Sequence, residues 1–476
     1  MPVRKKHRRT KIVCTMGPAC AGEVLPRLLQ AGMNVARLNF SHGDRQEHAA
    51  WIKRLRELSD SRGVPLAILQ DLAGPKIRIR ELPGGAVTLY PGEDFTISTL
   101  PPAPTAKGAQ VDYPEVIADT PVGAPILLAD GLVELQVAAK TEQTLRCRVV
   151  AGGVLRSQVG INFPRHSLSL PAFTPKDRED LRFGVEMGVD FIALSYVRSP
   201  QDLQEARQML AALGADIPLI AKIEKHEALT HLNAIVAAAD GLMVARGDLG
   251  VEVPLEQVPF IQKAVIAAAN RAGKPVITAT QMLLSMVDHS RPSRAEATDV
   301  ANAILDGTDA VMLSEETATG HYPVAAVRFL DRVSRATEEN FPYAAWLRAR
   351  APAKRLEISA AVSFAACELA LDLRAAAILT STDFGGTARL ISRLRPRAPI
   401  IGVTPRRETW RRLSLSWGVF PLLAPLITHT DEMLRVVAEE ARKARFLKPG
   451  DRVVITAGTP VGTRGSTNLI KVDVIT

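Results

Sequence analysis

Eight short runs rich in β-branched and aliphatic residues recur between residues 11 and 316, and each is followed by a turn and a stretch with helical periodicity. The runs occupy residues 11–15, 33–40, 66–72, 190–197, 218–224, 241–248, 275–280 and 310–316. Helical stretches such as PQDLQEARQMLAALG and LEQVPFIQKAVIAAANRAG lie between them. Eight strands that alternate with helices favour an α/β fold, a closed parallel (β/α)8 TIM barrel with an outer ring of helices. A doubly wound open sheet is the alternative.

The spacing of the runs is regular except between the third and the fourth, where residues 76–170 intervene. This segment contains strand-like pieces such as AVTLYPGEDFTI and TLRCRVVAGG, separated by Pro and Gly, with almost no helical periodicity. It predicts an inserted β-barrel domain that acts as a lid. The remainder, from residue 343, alternates helical and strand-like stretches. The predicted domains are the barrel (residues 1–75 and 171–342), the inserted β lid (76–170) and a C-terminal α/β regulatory domain (343–476).

The composition indicates a soluble globular enzyme that binds an anionic small molecule. The net charge is +9, yet the basic residues are dispersed except in RKKHRRTK (residues 4–11) and two arginine-rich stretches within residues 394–412. Aromatic residues are not interleaved with these clusters, so we expect no nucleic-acid partner. No run reaches membrane-spanning length, and no signal peptide is recognisable. The four cysteines lack metal-ligand spacing and indicate a reducing compartment, so we expect a cytoplasmic protein without a membrane partner.

Polar residues follow the predicted barrel strands at the ends where such barrels carry their active sites. They are Arg37, Asn39, Ser41, Asp71, Lys222, Glu224, Asp248, Thr280 and Ser314. The period of two places Lys222 and Glu224 on one face of a strand, where they could form a buried salt bridge. Asp248 follows the next strand and precedes a glycine-rich turn. Two carboxylates on neighbouring strands suit Mg²⁺, and Mn²⁺ as an alternative, so we expect Glu224 and Asp248 to be metal ligands.

The other strand-end residues each allow two interpretations. Arg37 suggests bidentate binding of a phosphate or a carboxylate, or else it is a solvated arginine at the barrel rim. Thr280 and Ser314 could each cap a helix, or could relay a proton beside a metal ion.

Six motifs, taken together, resemble pyruvate kinase. They are TKIVCTMGPAC, GMNVARLNFSHG, IAKIEKHEAL, DGLMVARGDLGVEVP, KPVITATQML and RPSRAEATDVANAILDGTDAVMLSEETATGHYP, in the order and at the spacing of that family. The resemblance runs nearly end to end and implies Mg²⁺-dependent phosphoryl transfer from phosphoenolpyruvate to ADP in glycolysis, giving pyruvate and ATP. It also implies a barrel with an inserted β lid and a C-terminal α/β domain, and a homotetramer.

The resemblance assigns roles position by position. Glu224 and Asp248 match the Mg²⁺ ligands, and Lys222 matches the lysine that stabilises the phosphoryl group in flight. Arg37 matches the residue that holds the substrate phosphate, whereas Gly247, Asp248 and Thr280 match the pocket for the substrate carboxylate. Thr280 and Ser314 match residues of the proton relay to the enolate. The nucleotide-contacting positions correspond to Asn39, Phe40, Ser41, His42, Arg78 and Lys176.

One position departs from the pattern of the K⁺-dependent members. Those members bind K⁺ through positions that match Asn39, Ser41, Asp71 and the backbone of Leu72, and they carry glutamate where this chain has Lys76. K⁺-independent members carry lysine there, usually with leucine at the position of Leu72. We therefore expect that the Lys76 ammonium replaces the monovalent cation and that K⁺ is not required. The alternative is that Lys76 points to solvent at the lid hinge.

The C-terminal stretch AAAILTSTDFGGTARLISRL predicts a strand, a glycine-containing loop and a helix, which could cradle a phosphate. It resembles the sugar-phosphate effector site of the family, which implies an allosteric ligand of unidentified structure. The expected effector residues are Ser381, Thr382, Gly385, Gly386, Thr387 and, on a later loop, Arg464. An ordinary turn without a ligand is the alternative. Two other functions remained open from the residues alone: a Mg²⁺-dependent aldolase or lyase that acts on pyruvate, and an RNA-binding protein.

Overall fold

The computed structural model describes residues 7–101, 107–164, 166, 168–351, 357–426, 429–459 and 467–476. Arg464 therefore lies outside the described residues. No helix in these ranges is both long and apolar enough to cross a membrane.

Eight parallel strands close into a barrel, so the predicted (β/α)8 fold is confirmed and the open sheet is not formed. The strands are Lys11–Thr15, Val35–Asn39, Ala67–Asp71, Phe191–Leu194, Leu219–Ile223, Gly241–Ala245, Val276–Ala279 and Ala310–Leu313. The first strand pairs with both the second and the eighth, which closes the ring. Nearly every residue of these strands is buried, because one face packs inside the barrel and the other against the helices.

Helices follow the strands and cover the outside of the barrel. The α-helices are Val24–Ala31, Arg45–Arg62, Pro175–Glu186, Pro200–Ala212, His226–Thr230, Leu232–Ala238, Arg246–Glu252, Val258–Ala272, Arg294–Asp306, Glu315–Ala318 and Pro323–Glu339, with 3-10 turns at Pro18–Cys20, Leu255–Gln257 and Leu284–Val287. Reciprocal capping boxes at Asp44, Thr174 and Ser293 start three of them by satisfying free backbone N–H groups.

Three predicted strands end three residues earlier than the sequence pattern suggested. The fourth strand stops at Leu194, the sixth at Ala245 and the eighth at Leu313, and short helices begin at Arg246 and Glu315. Asp248 therefore lies in the first turn of a helix, not before a glycine-rich turn. The physical reason is that its backbone must turn away from the closed ring, and a helical turn satisfies the backbone hydrogen bonds there.

The insertion between the third and fourth barrel strands is mainly β. Six strands form one sheet in the order Ile161–Asn162, Pro125–Leu128, Val133–Lys140, Thr144–Ala151, Asp94–Ser98, Gly108–Gln110, while Ala86–Leu89 pairs with Gly153–Arg156. One helix, Pro114–Asp119, adds to the predicted strands. The insertion has its own apolar core, which includes Phe95, Leu135 and Phe163. Its boundaries at residues 76 and 170, and its role as a lid, stay predictions.

The C-terminal domain is the predicted α/β unit. Its sheet has the order Val419–Leu423, Ile400–Thr404, Ala377–Ser381, Arg452–Gly458, Thr467–Val474, with only the last strand antiparallel. Its helices, together with the one that leads into it, are Tyr343–Arg348, Ile358–Asp372, Gly386–Ser392, Arg407–Arg412 and Thr430–Lys443, with a 3-10 turn at Leu413–Leu415.

Arginines of the C-terminal domain bind carboxylates at the amino end of the barrel. Arg395 is 1% exposed and donates to Asp309 Oδ1 at 3.0 Å, just before the eighth strand. Arg411 donates to Asp190 Oδ1 at 2.7 Å, just before the fourth strand. These contacts seat the domain on the end of the barrel opposite to the predicted active site.

Candidate active site

Lys222 lies at the centre of a buried charged cluster at the carboxyl end of the barrel. Its Nζ is 2.8 Å from Glu224 Oε1 and 3.3 Å from Asp71 Oδ1. It also donates to Ser195 Oγ at 2.7 Å. Burial alone would lower the pKa of Lys222, but the two carboxylates outweigh burial and raise it. The site therefore holds a permanent positive charge in a nearly solvent-free position.

Arg37 is the second cation of the cluster and is also buried. Its Nε donates to Asp71 Oδ2 at 2.7 Å, and its Nη1 donates to Thr15 Oγ1 at 3.0 Å. Burial opposes ionisation of Asp71, but Lys222 and Arg37 hold the pKa of this carboxyl below its usual value. Asp71 thus orients both cations, and Arg37 is not the solvated rim arginine of the alternative interpretation.

The Lys222–Glu224 salt bridge, which was the simpler interpretation of the sequence, is present. It does not account for all the negative charge at this end of the barrel. Asp248 is half-buried, and no described side chain within hydrogen-bond range pairs with its carboxylate. Burial, together with repulsion from Asp248, outweighs Lys222 and raises the pKa of Glu224. A nearby cation would relieve this repulsion, so Glu224 and Asp248 fit a divalent metal ion with hard oxygen ligands.

A neighbouring set of metal-ligating groups lies on the helices that follow the fifth and the sixth barrel strands. His226, Glu227 and Glu252 approach one another closely enough to share an ion. However, the Lys225 Nζ is 2.5 Å from Glu252 Oε1, so part of that negative charge is already neutralised inside the protein. Glu224 and Asp248 remain the better candidates for a metal.

Thr280 is held in an unusual backbone conformation beside Gly247. Its φ of +65° lies in the left-handed region, which a β-branched residue rarely adopts, and Gln281 follows at +55°. The Gly247 N–H donates to Thr280 Oγ1 at 2.7 Å, and that hydroxyl donates to the Ala279 carbonyl at 2.7 Å. Thr280 does not cap the segment that follows it; its hydroxyl instead accepts from a free N–H in the first turn of the helix Arg246–Glu252.

Arg246 fixes this conformation, and the sequence analysis did not single it out. Its Nη2 donates to the Thr280 carbonyl at 2.8 Å and its Nε to the Ala279 carbonyl at 3.2 Å. Its Nη1 lies 2.7 Å from both carboxylate oxygens of Asp299. The only available signal was the ARGD motif itself, because Asp299 is remote in sequence.

Ser195 and Tyr196, at the end of the fourth strand, were also missed. Ser195 Oγ donates to the Leu72 carbonyl at 2.7 Å while accepting from Lys222, which ties the lysine to the third strand. The Tyr196 N–H donates to Glu224 Oε2 at 2.7 Å. The Tyr196 ring also lies where a Cβ on Gly74 would sit, which explains the glycine at the start of the insertion.

Ser314 precedes the short helix Glu315–Ala318, but its side chain makes no capping hydrogen bond. Its N–H donates to Glu316 Oε2 at 2.7 Å. Glu316 also accepts from the Leu283 N–H, although burial is the dominant effect and raises its pKa. The Ser314 hydroxyl therefore has no structural hydrogen bond among the described residues.

The segment Asn39–His42 begins where the second strand ends and meets Lys176 in space. The Lys176 Nζ donates to the Phe40 carbonyl at 2.9 Å and to Asp180 Oδ2 at 2.5 Å. The Phe40 ring stacks on His48 at a centroid distance of 4.0 Å. Asn39 Oδ1 accepts from the Ser41 N–H at 3.2 Å. Residues far apart in sequence thus form one surface beside Asp71.

Arg78 and Lys76 lie at the start of the insertion and face the same surface. Arg78 donates to the Gln158 carbonyl at 3.3 Å. Burial lowers the pKa of His42, and the positive charges of Arg78, Lys76 and Arg37 lower it further. Lys76 is exposed, and none of the carboxylates in the described ranges is in ion-pair range of it. The structure does not bring its ammonium into contact with Asn39, Ser41 or Asp71.

Four of the predicted effector residues, Ser381, Thr382, Gly386 and Thr387, line a cavity of about 540 Å³ between the C-terminal domain and the amino end of the barrel. Thr382 Oγ1 accepts from the Gly385 N–H at 2.9 Å, and Gly385 adopts a φ of +80°. Thr387 Oγ1 shares a hydrogen bond of 2.6 Å with Thr467 Oγ1. Ser381 and Gly386 complete this wall, whereas Arg464 lies outside the described residues.

Comparison with known proteins supports one family throughout. Residues 7–327 match the pyruvate kinase barrel domain, and residues 360–473 match the pyruvate kinase alpha/beta domain. A pyruvate kinase of Geobacillus stearothermophilus is 49% identical over 472 residues, covering 98% of this chain and 80% of the relative. Pyruvate kinase 2 of a Synechocystis strain is 48% identical over 473 residues, covering 98% and 79%.

A solved structure agrees with these sequence relatives. The crystal structure of a pyruvate kinase from Cryptosporidium parvum superimposes with a TM-score of 0.93 at 36% identity and covers 98% of this chain and 96% of its own. This chain therefore belongs to the pyruvate kinase family and is a phosphotransferase that acts on phosphoenolpyruvate and ADP.

Proposed function

We propose that the charged cluster around Lys222 performs Mg²⁺-dependent phosphoryl transfer from phosphoenolpyruvate to ADP. The observation that carries this proposal is the buried Lys222 ammonium beside Glu224, with the unpaired Asp248 carboxylate next to them. Glu224 and Asp248 would hold the metal, with Mn²⁺ as a possible substitute. When bound there, the ion would neutralise negative charge on the transferring phosphoryl group.

The surrounding residues position the substrate and stabilise charge. Lys222 presents its ammonium to the transferring phosphoryl group, and Arg37 binds the substrate phosphate through guanidinium nitrogens that Asp71 keeps oriented. The hydroxyl of Thr280 and the backbone of Gly247 and Asp248 would bind the substrate carboxylate. The Ser314 hydroxyl, which has no structural hydrogen bond among the described residues, is available with Thr280 for proton transfer to the enolate.

On the nucleotide side, the segment Asn39–His42, with Arg78 and Lys176, would contact ADP. Its support is the placement of Lys176 against Phe40 and the positive field that Arg78 and Arg37 create around His42. A positive field on this side favours the polyphosphate of a nucleotide.

Release of pyruvate, coupled to lactate dehydrogenase, tests the proposal. Activity should require both ADP and a divalent ion, and chelation followed by addition of MgCl₂ should restore it. The variant Asp248→Asn should need far more MgCl₂ for half-maximal activity. Asp60→Asn, which removes an exposed carboxylate at the amino end of the barrel, is the control and should leave the MgCl₂ requirement unchanged. Equal MgCl₂ requirements for Asp248→Asn and the unaltered chain would contradict the metal assignment.

We also infer that this enzyme does not require K⁺, because Lys76 supplies the monovalent positive charge. Two observations support this inference. Lys76 has no carboxylate partner among the described residues, and its positive charge lowers the pKa of His42, one of the proposed nucleotide contacts. Lys76 is exposed in the structure, which the alternative of a solvated lysine also predicts. The inference therefore requires the Lys76 ammonium to approach Asp71 and Asn39 when substrates bind. Gly74, with a φ of +66°, lies two residues before Lys76.

The test is an assay in K⁺-free buffer in which tetramethylammonium maintains the ionic strength. The unaltered chain should be fully active, and Lys76→Glu should lose activity and regain it when KCl is added. Lys107→Glu makes the same charge reversal elsewhere in the insertion and is the control. Its activity should be the same with tetramethylammonium and with KCl. Strong activation of the unaltered chain by KCl would refute the inference.

Two further assignments rest on the same family. An anionic effector, such as a sugar phosphate, would bind the loop from Ser381 to Thr387, supported by its hydroxyls and by the cavity beside it. A shift in the phosphoenolpyruvate saturation curve with AMP, ribose 5-phosphate, glucose 6-phosphate or fructose 1,6-bisphosphate would support it, and no shift with any would contradict it.

A homotetramer is supported by Leu255 and Phe260, each 73% exposed on adjoining turns. The molecular mass of the protein in solution tests this assignment, and it should be that of four chains.

A further inference from the structure

A second cavity, of about 430 Å³, lies where the last barrel helix meets the C-terminal domain. It is separate from the active site and from the loop Ser381–Thr387. Four arginines from four different segments line it: Arg9, Arg335, Arg397 and Arg445. Convergence of like charges on one cavity is unfavourable unless carboxylates or a bound anion compensate it.

The carboxylates around this cavity are largely engaged. Glu338 is 3% exposed and accepts hydrogen bonds from the Arg9 N–H at 2.9 Å and the Thr10 N–H at 2.7 Å. Its Oε2 also lies 3.8 Å from Arg9 Nη1. Asp331 is shared between Arg335 at 2.7 Å and Arg8 at 3.0 Å. Glu339 is the remaining carboxylate of the wall.

The positive charges therefore exceed the negative ones. Four guanidinium groups, those of Arg9, Arg335, Arg397 and Arg445, line the cavity with two carboxylates, those of Glu338 and Glu339. Within the described ranges, neither Arg397 nor Arg445 has a carboxylate in ion-pair range. The Nε of Arg9 is a buried donor without an acceptor. Two positive charges and one buried donor thus remain available to a ligand.

The cavity also provides an apolar wall beside the arginines. The Arg9 guanidinium lies 5.4 Å from the ring centroid of Tyr343, whose hydroxyl donates to the Glu338 carbonyl at 2.8 Å. Phe446 lines the opposite side. A volume of this size accommodates a small metabolite rather than a single ion.

We propose that this cavity binds an organic phosphate, that is, a small molecule with a terminal phosphate monoester and a carbon body. A phosphate monoester carries a charge between about −1.5 and −2 near neutral pH and three acceptor oxygens, which matches the two uncompensated guanidinium groups and the free Arg9 donor. A carboxylate, with one charge and two oxygens, would leave part of this site uncompensated.

Binding there would strengthen the contact between the two domains. The helix that carries Arg335 and Glu338 belongs to the barrel, whereas Arg397 and Arg445 belong to the C-terminal domain. Arg9 spans the junction, because its guanidinium also donates to the Arg397 carbonyl. A ligand that contacts both sides binds the docked arrangement in preference to a separated one, so it should raise the thermal unfolding temperature.

The test compares two double variants of the full chain with equal net charge. Arg397→Gln/Arg445→Gln removes the two uncompensated charges, whereas Arg148→Gln/Arg435→Gln removes two exposed arginines that do not line the cavity. Ribose 5-phosphate and inorganic phosphate are each titrated into both variants by calorimetry. Compared with the unaltered chain, one binding event should be about tenfold or more weaker in Arg397→Gln/Arg445→Gln and unchanged in Arg148→Gln/Arg435→Gln. Ribose 5-phosphate should bind more tightly than inorganic phosphate.

Two titration results would overturn the proposal. Equal weakening in both double variants would indicate unspecific attraction to net charge, and unchanged binding in Arg397→Gln/Arg445→Gln would show that no binding depends on these two arginines. Both double variants should keep the turnover of the unaltered chain, which shows that each folds and that the active site is intact. Crystals soaked in tungstate, a phosphate-like anion, should show the metal between Arg397 and Arg445; its absence there would contradict the assignment.

Discussion

The two ends of the same barrel carry buried charged clusters that differ in how completely the protein satisfies them. At the amino end, Asp309 accepts from Arg395, from the Trp417 N–H at 3.2 Å and from the Val276 N–H at 3.0 Å. At the carboxyl end, Asp248 has no partner among the described residues, and Thr280 keeps a strained backbone. A closed network holds domains together, whereas an incomplete one leaves charge and strain available for a substrate.

Asp190 repeats the arrangement of Asp309 at the amino end. Its Oδ2 accepts from Arg56 Nη1 and from the Ile68 N–H, both at 2.8 Å, while its Oδ1 accepts from Arg411. Both oxygens are used by the protein itself. We therefore expect substitutions at the amino end to change stability, and substitutions at the carboxyl end to change activity.

The strongest test of this contrast is Lys222→Met. Loss of the ammonium removes charge stabilisation where the phosphoryl group is transferred, so kcat should fall by about 10²–10³-fold or more. The lactate dehydrogenase-coupled assay measures it. Lys274→Met is the control at the amino end, because the Lys274 ammonium donates only to backbone carbonyls, such as that of Ala237 at 2.8 Å. A kcat for Lys222→Met within tenfold of the unaltered value would contradict the assignment.

The counterpart at the amino end is Arg395→Met. Removing this guanidinium leaves Asp309 with an uncompensated buried charge, so the free energy of unfolding should fall by about 3–5 kcal/mol while kcat changes little. Denaturant unfolding followed by circular dichroism measures the loss. Arg407→Met breaks an exposed ion pair with Asp60 and should cost no more than about 1 kcal/mol. A large fall in kcat with unchanged stability would reverse the proposed roles of the two ends.

Arg246→Lys tests whether the strained Thr280 depends on its clamp. Lysine keeps the charge, but its single ammonium lacks the planar fork with which three Arg246 nitrogens reach Asp299 and the two carbonyls, so Thr280 and Gly247 should shift. The KM for phosphoenolpyruvate should rise about 10- to 100-fold, with the KM for ADP nearly unchanged. Asp299→Asn should show the same selectivity more weakly. An equal rise in both KM values would indicate general unfolding instead of mispositioning.

An effect that depends on pH is expected of Lys11, a buried lysine at the amino end. Its Nζ donates to the Val419 carbonyl at 2.5 Å, across the domain junction. Burial, aided by Arg8, outweighs Glu338 and Asp309 and lowers the pKa of Lys11 from 10.5 to about 7. Between these two pH values the unfolded chain binds a proton that the folded chain does not. The free energy of unfolding should therefore rise with pH, by up to about 1.4 kcal/mol per pH unit.

Lys11→Met provides the reference for that measurement. The variant lacks the titrating group, so the unfolding free energy of the unaltered chain minus that of the variant should increase as the pH is raised from 7 to 10. A difference that stays constant over this interval would show that Lys11 remains charged in the folded protein.

Much of the fold could be predicted because it depends on local patterns. The eight apolar runs lie at the eight barrel strands, and the helix predicted from PQDLQEARQMLAALG is the observed Pro200–Ala212. Boundaries were less accurate at Ala245 and Leu313, because the polar residues that follow are compatible with either a strand end or a helix start. The helix Pro114–Asp119 was missed because it is too short to show a period.

The site could be predicted in part. Strand ends indicated Arg37, Lys222, Glu224 and Asp248, since every parallel strand delivers its last residues to the same end of the barrel. Arg246 with Asp299, and Ser195 with Leu72, could not be paired, because their partners lie on different strands or helices and the contacts exist only after the ring has closed.

By itself the sequence determined the barrel, its two additional domains and the set of charges at the active end, because hydrophobic periodicity and motif spacing are local properties of the chain. Only the tertiary structure decided which charges are already compensated, because Coulomb energies and hydrogen bonds depend on distances through space. Asp190 and Asp309 are engaged on both oxygens, whereas Asp248, Arg397 and Arg445 have no carboxylate or guanidinium partner in the part of the chain that is described.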